Sequence, residues 1–328
     1  MLDQDLYPLF RDAQLGDKLE RPVLITSVAD ATSRNGDNFV KISMKDGVTE
    51  ERSNVFNTSV GKLAVMGIKK DTVADVKITI GEYRGRRSVN IEDIRPCADP
   101  NITPMDFCKL PPIDMDVMYD EICALLESCA DDMGGTCTPL SKLALTILQE
   151  NRKGYMHSSA AVSMHHNMRG GLLYHSYRMV KAADAICNVY TDLDRELLLC
   201  GTALHDIGKI WEYQTTEDGS ASFTKSGILF GHLYMGASLI KKYTDGENYN
   251  LEKVQLLIHL ILSHHGLHEW GAVSCPAIPE AFALHYIDNL DAKIYACEDK
   301  FDALHPGELT ADRPFGMPNY IYKPDYGE

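Results

Sequence analysis

Seven side chains in the second half of the chain are of types that chelate metal ions: His175, His205, Asp206, His232, His264, His265 and Asp288. Each interrupts an otherwise apolar stretch, as in GGLLYHSYRMV, LLLCGTALHDIGKIWEY, LFGHLYMGASLI, LILSHHGLHEW and LHYIDNLDAKI. Buried imidazoles and carboxylates are costly unless they meet a metal ion or one another. The core of a helical bundle is where side chains from several helices build such sites. The adjacent pair His205-Asp206 sets a geometric condition. Successive side chains diverge by about 100° on a helix, so both can face one point only where the helix stops. Gly208 is expected to mark that stop.

The elements that must carry these residues are legible as helices. Apolar residues recur at three and four positions over 115–130, 139–151, 170–190, 192–205, 230–243, 251–264 and 279–298. These ranges predict an all-α bundle over 115–305, followed by a C-terminal segment, 306–328, without an assignable motif. All twelve histidines lie between His157 and His305. The rest of the chain must therefore do different work.

Residues 18–97 read as about five short strands. Val40, Ile42 and Met44 alternate with Phe39, Lys41, Ser43 and Lys45, the period of two that sends one set inward and the other toward solvent. Two later alternating segments, Val76-Ile78-Ile80 and Val89-Ile91, flank Gly85 as a hairpin would. Five strands in eighty residues suggest a small barrel, the OB-fold being the common one that binds oligonucleotides; another small barrel fits the same pattern. Phe39 beside Lys41 would suit base stacking with phosphate neutralisation, and Arg84, Arg86 and Arg87 could line a strand path. Solvated hairpin charges and one stray aromatic explain the same residues. Residues 1–17 form an N-terminal segment, and 98–114 a linker that its prolines keep from being helical.

Composition excludes several classes. At 328 residues and 45% hydrophobic, the chain can bury a sizeable core. It has no apolar run near the ~18 residues of a membrane span. Its start, MLDQDLYPLF, lacks the basic and apolar regions of a secretory leader, and the expected location is the cytoplasm. Nine scattered cysteines without a CxxC spacing argue against a disulfide framework or a thiolate zinc site. The net charge of −15 excludes binding nucleic acid by bulk attraction. Residues 18–97, however, carry 14 Lys and Arg against 11 Asp and Glu, so the first domain is mildly basic and the second acidic.

The order His175, His205-Asp206, His232, His264/His265, Asp288 resembles the HD-domain metal-dependent phosphohydrolases. The combination of a barrel ending GEYRGRRSVNIEDIRP with HHNMRGGLLYHS, HDIGKIWEY, FGHLYMG and HHGLHEWG…HYIDNLDAK is similar, over roughly 18–300, to the YhaM-type 3′ to 5′ exoribonucleases. The resemblance implies a multidomain protein, a small all-β OB-like barrel followed by an all-α HD-domain helical bundle. It implies a first metal held by His175, His205, Asp206 and Asp288, with Asp206 bridging to a second held by His232 and by His264 or His265. Such mixed ligands suit Mn²⁺, the first expectation, or Fe²⁺, Co²⁺ or Zn²⁺ better than Mg²⁺. Lys209 would offset charge on the phosphoryl oxygens; a helix C-terminal cation is its alternative reading. His165 and His166 could touch substrate phosphate or lie on a plain surface loop, and Asp291 would share the face of Asp288, behind the ligands or at the substrate. The expected partner is single-stranded RNA, with single-stranded DNA a second candidate, no membrane, and self-association left open. Two other readings remain: an HD-type nucleotide or cyclic-nucleotide phosphohydrolase, which needs no stacking platform, and a non-enzymatic nucleic-acid-binding factor with a structural metal.

Overall fold

A computed structural model of the chain describes residues 2–3, 6–33, 36–129, 138–161, 168–216, 219–314 and 316–327. The chain divides into two compact units. The first comprises 1–109 with 299–313 and 318–328; the second comprises 110–298 with 314–317.

The first unit is built on five antiparallel strands, β1 (Lys18–Thr32), β2 (Asn38–Lys45), β3 (Glu50–Phe56), β4 (Thr72–Tyr83) and β5 (Arg86–Pro96), in the order β3-β2-β1-β4-β5. The long β1 serves two partners: its first half pairs with β4 and its second with β2, and the register shifts between Ile25 and Ser27. A bulge there bends the strand and lets the sheet curl. The two edge strands are then joined by side chains. Ser53 Oγ on β3 accepts a hydrogen bond from the Ile91 backbone N–H on β5 at 3.2 Å, and Arg87 pairs with Glu51. The alternating residues Val40, Ile42, Met44, Val76, Ile78 and Ile80 fill the interior, as their period of two predicts. A short helix, α1 (Val60–Val65), adds Leu63 to that core. Residues 7–10 are tied to the barrel by the buried Arg21 guanidinium, which donates to the carbonyls of Tyr7, Pro8 and Asp46 and lies 5.3 Å over the Phe10 ring.

The second unit packs α2 (Met115–Glu127), α3 (Leu140–Glu150), α4 (Arg152–His157), α5 (Gly171–Cys187), α6 (Arg195–Leu204), α7 (Lys209–Glu212), α8 (Lys225–Thr244), α9 (Leu251–Ser263) and α10 (Pro279–Phe301) around one apolar core. Residues 196–204 of α6 are all buried, the mark of a central helix. Side-chain caps start the helices that matter: Asp194 on α6, Thr224 on α8 and Asn250 on α9 accept from backbone N–H groups one turn in, each worth ~1 kcal/mol. The region read as purely helical also contains a small hairpin, β6 (Tyr213–Thr215) with β7 (Ala221–Phe223). These strands are three residues long, too short for periodicity to reveal. Among the described residues no helix is long and apolar enough to cross a membrane.

Candidate metal centre

The seven chemically loaded side chains come from five places in the bundle. His175 projects from the first turns of α5, whose start is fixed by Gly170: its φ of 75° is left-handed, and an added Cβ would stand 2.9 Å from Met115 Sδ. His205 and Asp206 follow α6, and both are buried. The helix stops at Leu204, within a residue of the expected end at 205, but Gly208 is not its terminator. Its φ of −62° is ordinary. It is glycine because a Cβ there would come within 2.1 Å of the His232 carbonyl oxygen, so α8 can lie directly on the turn 205–208.

His232 depends on a second backbone irregularity. Helix α8 is interrupted at Gly231 (φ 70°, ψ 158°), a conformation essentially confined to glycine. The break frees the His232 N–H, which donates to Glu212 Oε1 at 3.1 Å. His264 and His265 follow the end of α9, and Asp288 comes from α10.

Their donor atoms converge. His205 Nε2 is 3.2 Å from Asp206 Oδ2 and 3.3 Å from His175 Nε2; His175 Nε2 is 3.3 Å from Asp288 Oδ1. On the other side of the same carboxylate, Asp206 Oδ1 lies 3.5 Å from His232 Nε2 and 3.7 Å from His264 Nε2, and His232 Nε2 is 3.3 Å from His265 Nε2. The clusters overlap: His175, His205 and Asp206; His205, His264 and Asp288; His232, His264 and His265. The sequence left His264 and His265 as alternatives. In the structure both turn Nε2 inward.

The opposite ring nitrogens decide what faces the centre. Nδ1–H of His205 donates to the Thr202 carbonyl and that of His264 to the Ile261 carbonyl, each at 2.8 Å. Because a carbonyl can only accept, the proton sits on Nδ1 and Nε2 presents a lone pair. His175 is held at Nδ1 by Asp291 at 2.7 Å, and His232 by Glu212 Oε2 at 2.9 Å. Asp206 Oδ1 is buried with no hydrogen-bond donor among the described residues. This carboxylate oxygen, the His264 Nε2 lone pair and His232 Nε2 therefore meet at 3.5–3.7 Å. Separations of about 3.0–3.4 Å are the edges of a coordination shell with bonds of about 2.1 Å, so the donor set fits a divalent cation.

The charges agree. Burial alone would raise the Asp206 carboxyl, but Lys209 and His205 hold it well below the usual carboxylate range. Asp288 is held low by His175 in the same way. Burial opposes charge on His175, but its hydrogen bonds with Asp288 and Asp291 prevail and push it up to about 9. Burial and the neighbouring His232 push His265 down to about 4, and burial and His205 keep His264 neutral.

Asp291, expected behind the ligands or at the substrate, is buried behind them: it grips His175 and also accepts from Arg178 Nε at 2.6 Å. Glu212 and Arg178 escaped sequence reasoning. Glu212 stands seven residues beyond His205, within the stretch HDIGKIWEY but with no role read for it there, and only the fold brings it under His232. His165 and His166 lie outside the described residues.

On the barrel, Phe39 and Lys41 face outward from β2. Phe39 sits directly across from Phe56 of β3, ring centroids 5.4 Å apart, and Phe56 is 56% exposed. Arg84 and Gly85 form a two-residue hairpin tip, both with positive φ, as a type I′ turn requires, and the Arg84 guanidinium lies 5.2 Å over the exposed Tyr83 ring. Arg87 does not extend this path: it is engaged with Glu51 and the Phe10 carbonyl, where it closes the barrel. The Arg86 side chain lies outside the described residues.

The comparisons with known proteins follow the same division. The HD domain family matches residues 172–293, the stretch from α5 to α10 that carries the seven convergent side chains. The 3′-5′ exoribonuclease YhaM of Bacillus subtilis is 30% identical over 315 residues, 95% of this chain and 97% of its own length. That of Bacillus licheniformis is 31% identical over 313 residues, 95% and 96% of the two chains. A chain from a replication protein A heterotrimer bound to single-stranded DNA is similar over 28% of this chain and 66% of its own, with 23% identity and a TM-score of 0.21; the barrel assignment rests on strand order and curvature instead. Similarity to the YhaM enzymes runs through both units from end to end, and the chain belongs to the YhaM family of 3′-5′ exoribonucleases.

Proposed function

We propose that this protein removes nucleotides from the 3′ end of single-stranded RNA by hydrolysis at a dinuclear metal centre. The observation that carries the reading is Asp206 Oδ1, a buried anionic oxygen without a donor among the described residues, facing Nε2 of His232 and of His264. His175, His205, Asp206 and Asp288 would hold one ion, and Asp206, His232, His264 and His265 the other. Imidazole with carboxylate favours Mn²⁺, with Fe²⁺, Co²⁺ or Zn²⁺ next. When bound, such ions acidify a water and neutralise charge developing on the phosphodiester.

The chain's own groups supply the rest. Thr202 O, Ile261 O, Asp291 and Glu212 fix the imidazole tautomers, so the ligands need no rearrangement. Lys209 Nζ, 2.6 Å from Asp206 Oδ2 and partly open to solvent, brings a positive charge to the rim of the centre, where it would bind a phosphoryl oxygen. The Phe39–Phe56 pair, with Lys41 beside it and Arg84 at the hairpin tip, would stack bases and neutralise phosphates of the strand being digested. Stacking rings do not read the sugar, so this barrel would accept single-stranded DNA as well.

The test is incubation of the full chain and Mn²⁺ with a 5′-labelled single-stranded RNA. A ladder shortening from the 3′ end supports the reading. Release of label as a mononucleotide, or hydrolysis only of free nucleotides, would assign the centre to a different phosphohydrolase, and binding without hydrolysis would leave a non-enzymatic factor.

A further inference from the structure

The two carboxylates that back the histidines divide the centre, one behind each half. Asp291 holds His175; Glu212 holds His232. Their settings differ. Asp291 also takes Arg178; Glu212, which also interacts with the Tyr213 side chain, puts both oxygens on His232, Oε1 taking its backbone N–H at 3.1 Å and Oε2 taking Nδ1–H at 2.9 Å. This two-point grip exists because Gly231 breaks α8 and turns the N–H out of the helix. The surroundings are shaped to bring the helices together at this point. The Glu212 carbonyl accepts from Thr224 N at 2.9 Å, Thr224 Oγ1 donates to the Trp211 carbonyl, and a Cβ at Gly227 would come within 2.2 Å of the Glu212 carbonyl oxygen. Glu212 is buried, and among the described residues its tie to the centre runs through His232.

We infer that Glu212 is the positioning residue for the second ion: by clamping His232 at ring and backbone it fixes the tautomer and direction of Nε2, and occupancy of the His232–His264–His265 half depends on it while occupancy of the His175–His205–Asp288 half does not. The inference rests on the two-ion reading above. A carboxylate behind a ligating imidazole both orients the ring and strengthens it as a donor, and its loss weakens metal affinity by roughly 10- to 100-fold. Because the grip is local, that loss falls on one ion.

Metal titration of the full chain with Mn²⁺, read by elemental analysis after dialysis and by the spin coupling of paired ions in electron paramagnetic resonance, tests this without recourse to activity. Wild-type protein should bind two coupled ions. Glu212→Ala should bind one tightly and the second roughly 10- to 100-fold more weakly, with the coupling lost at limiting metal. Glu212→Gln, which keeps an acceptor for Nδ1–H but loses the charge, should fall between them and serves as the test should the alanine variant not fold. Asp291→Asn should do the reverse, weakening the first ion and sparing the second. Two coupled ions of unchanged affinity in a folded Glu212 variant would overturn the inference, as would equal weakening of both. A wild-type protein that binds a single ion would overturn the two-ion reading itself.

Discussion

Lys209 Nζ stands 2.6 Å from Asp206 Oδ2, and the lysine is the first residue of α7. The helix whose C-terminus it would serve, α6, ends five residues earlier at Leu204, beyond the single turn over which a helix dipole acts. The lysine's partner is the carboxylate at the middle of the metal centre. Lys209→Met should therefore lower kcat by roughly 10- to 1,000-fold, the range for loss of a single electrostatic donor, while the protein retains its metal. Steady-state kinetics paired with elemental analysis check this; an unchanged kcat with a reduced melting temperature would make the lysine structural.

Asp206 touches both halves of the centre through its two oxygens. Asp206→Ala should abolish turnover and lower bound transition metal for both ions, with helical content nearly intact because the residue follows α6 and does not lie within it. Full metal occupancy in an active Asp206→Ala protein would remove the residue from the ligand set.

Protons and cations compete for the first half of the centre. In the metal-free protein His175 is protonated below about 9, so a metal ion must displace that proton, and the first ion's affinity should climb with pH, about tenfold per unit, up to about 9. His265, pushed down to about 4, is already neutral throughout this range and adds no such slope. The folded-state pKa of His175 lies above its ordinary 6.5; its charged form therefore stabilises the metal-free protein fully below about 6.5, and that contribution is lost as pH rises through 9. Metal-binding isotherms and chelator-treated melting curves between pH 6 and 10 would show both trends.

The elements and the side chains that converge were legible in the sequence for a physical reason: period and residue type are local. Alternation in 39–45 assigned β2, and histidines in apolar helices marked the centre. What sequence could not give is what depends on another element's backbone. Gly208 looked like a helix terminator, yet its role is to admit the His232 carbonyl. Nothing near Phe39 announces that Phe56 will be its cross-strand neighbour. Arg87 reads as one of three hairpin cations, and only the closed barrel gives it to Glu51.

That cross-strand pair yields the last prediction. Two aromatic rings on adjacent strands, 5.4 Å between centroids and tilted by 33°, offer a continuous surface for successive bases. Each stacked base is worth about 1–3 kcal/mol in single-strand binders, so Phe39→Ala or Phe56→Ala alone should weaken binding of an oligonucleotide by roughly 5- to 150-fold. These contacts are shared by ground and transition states, and the loss should appear in KM for long RNA while kcat is largely kept. Since the rings touch each other, the double variant should cost less than the sum of the single ones. Lys41→Ala and Arg84→Ala act on phosphate instead; each should flatten the salt dependence of binding by releasing fewer counterions, which the aromatic variants should leave alone. Fluorescence titrations at several salt concentrations separate the two effects, and aromatic variants with unchanged KM on long RNA would show that the β2–β3 face does not carry the strand.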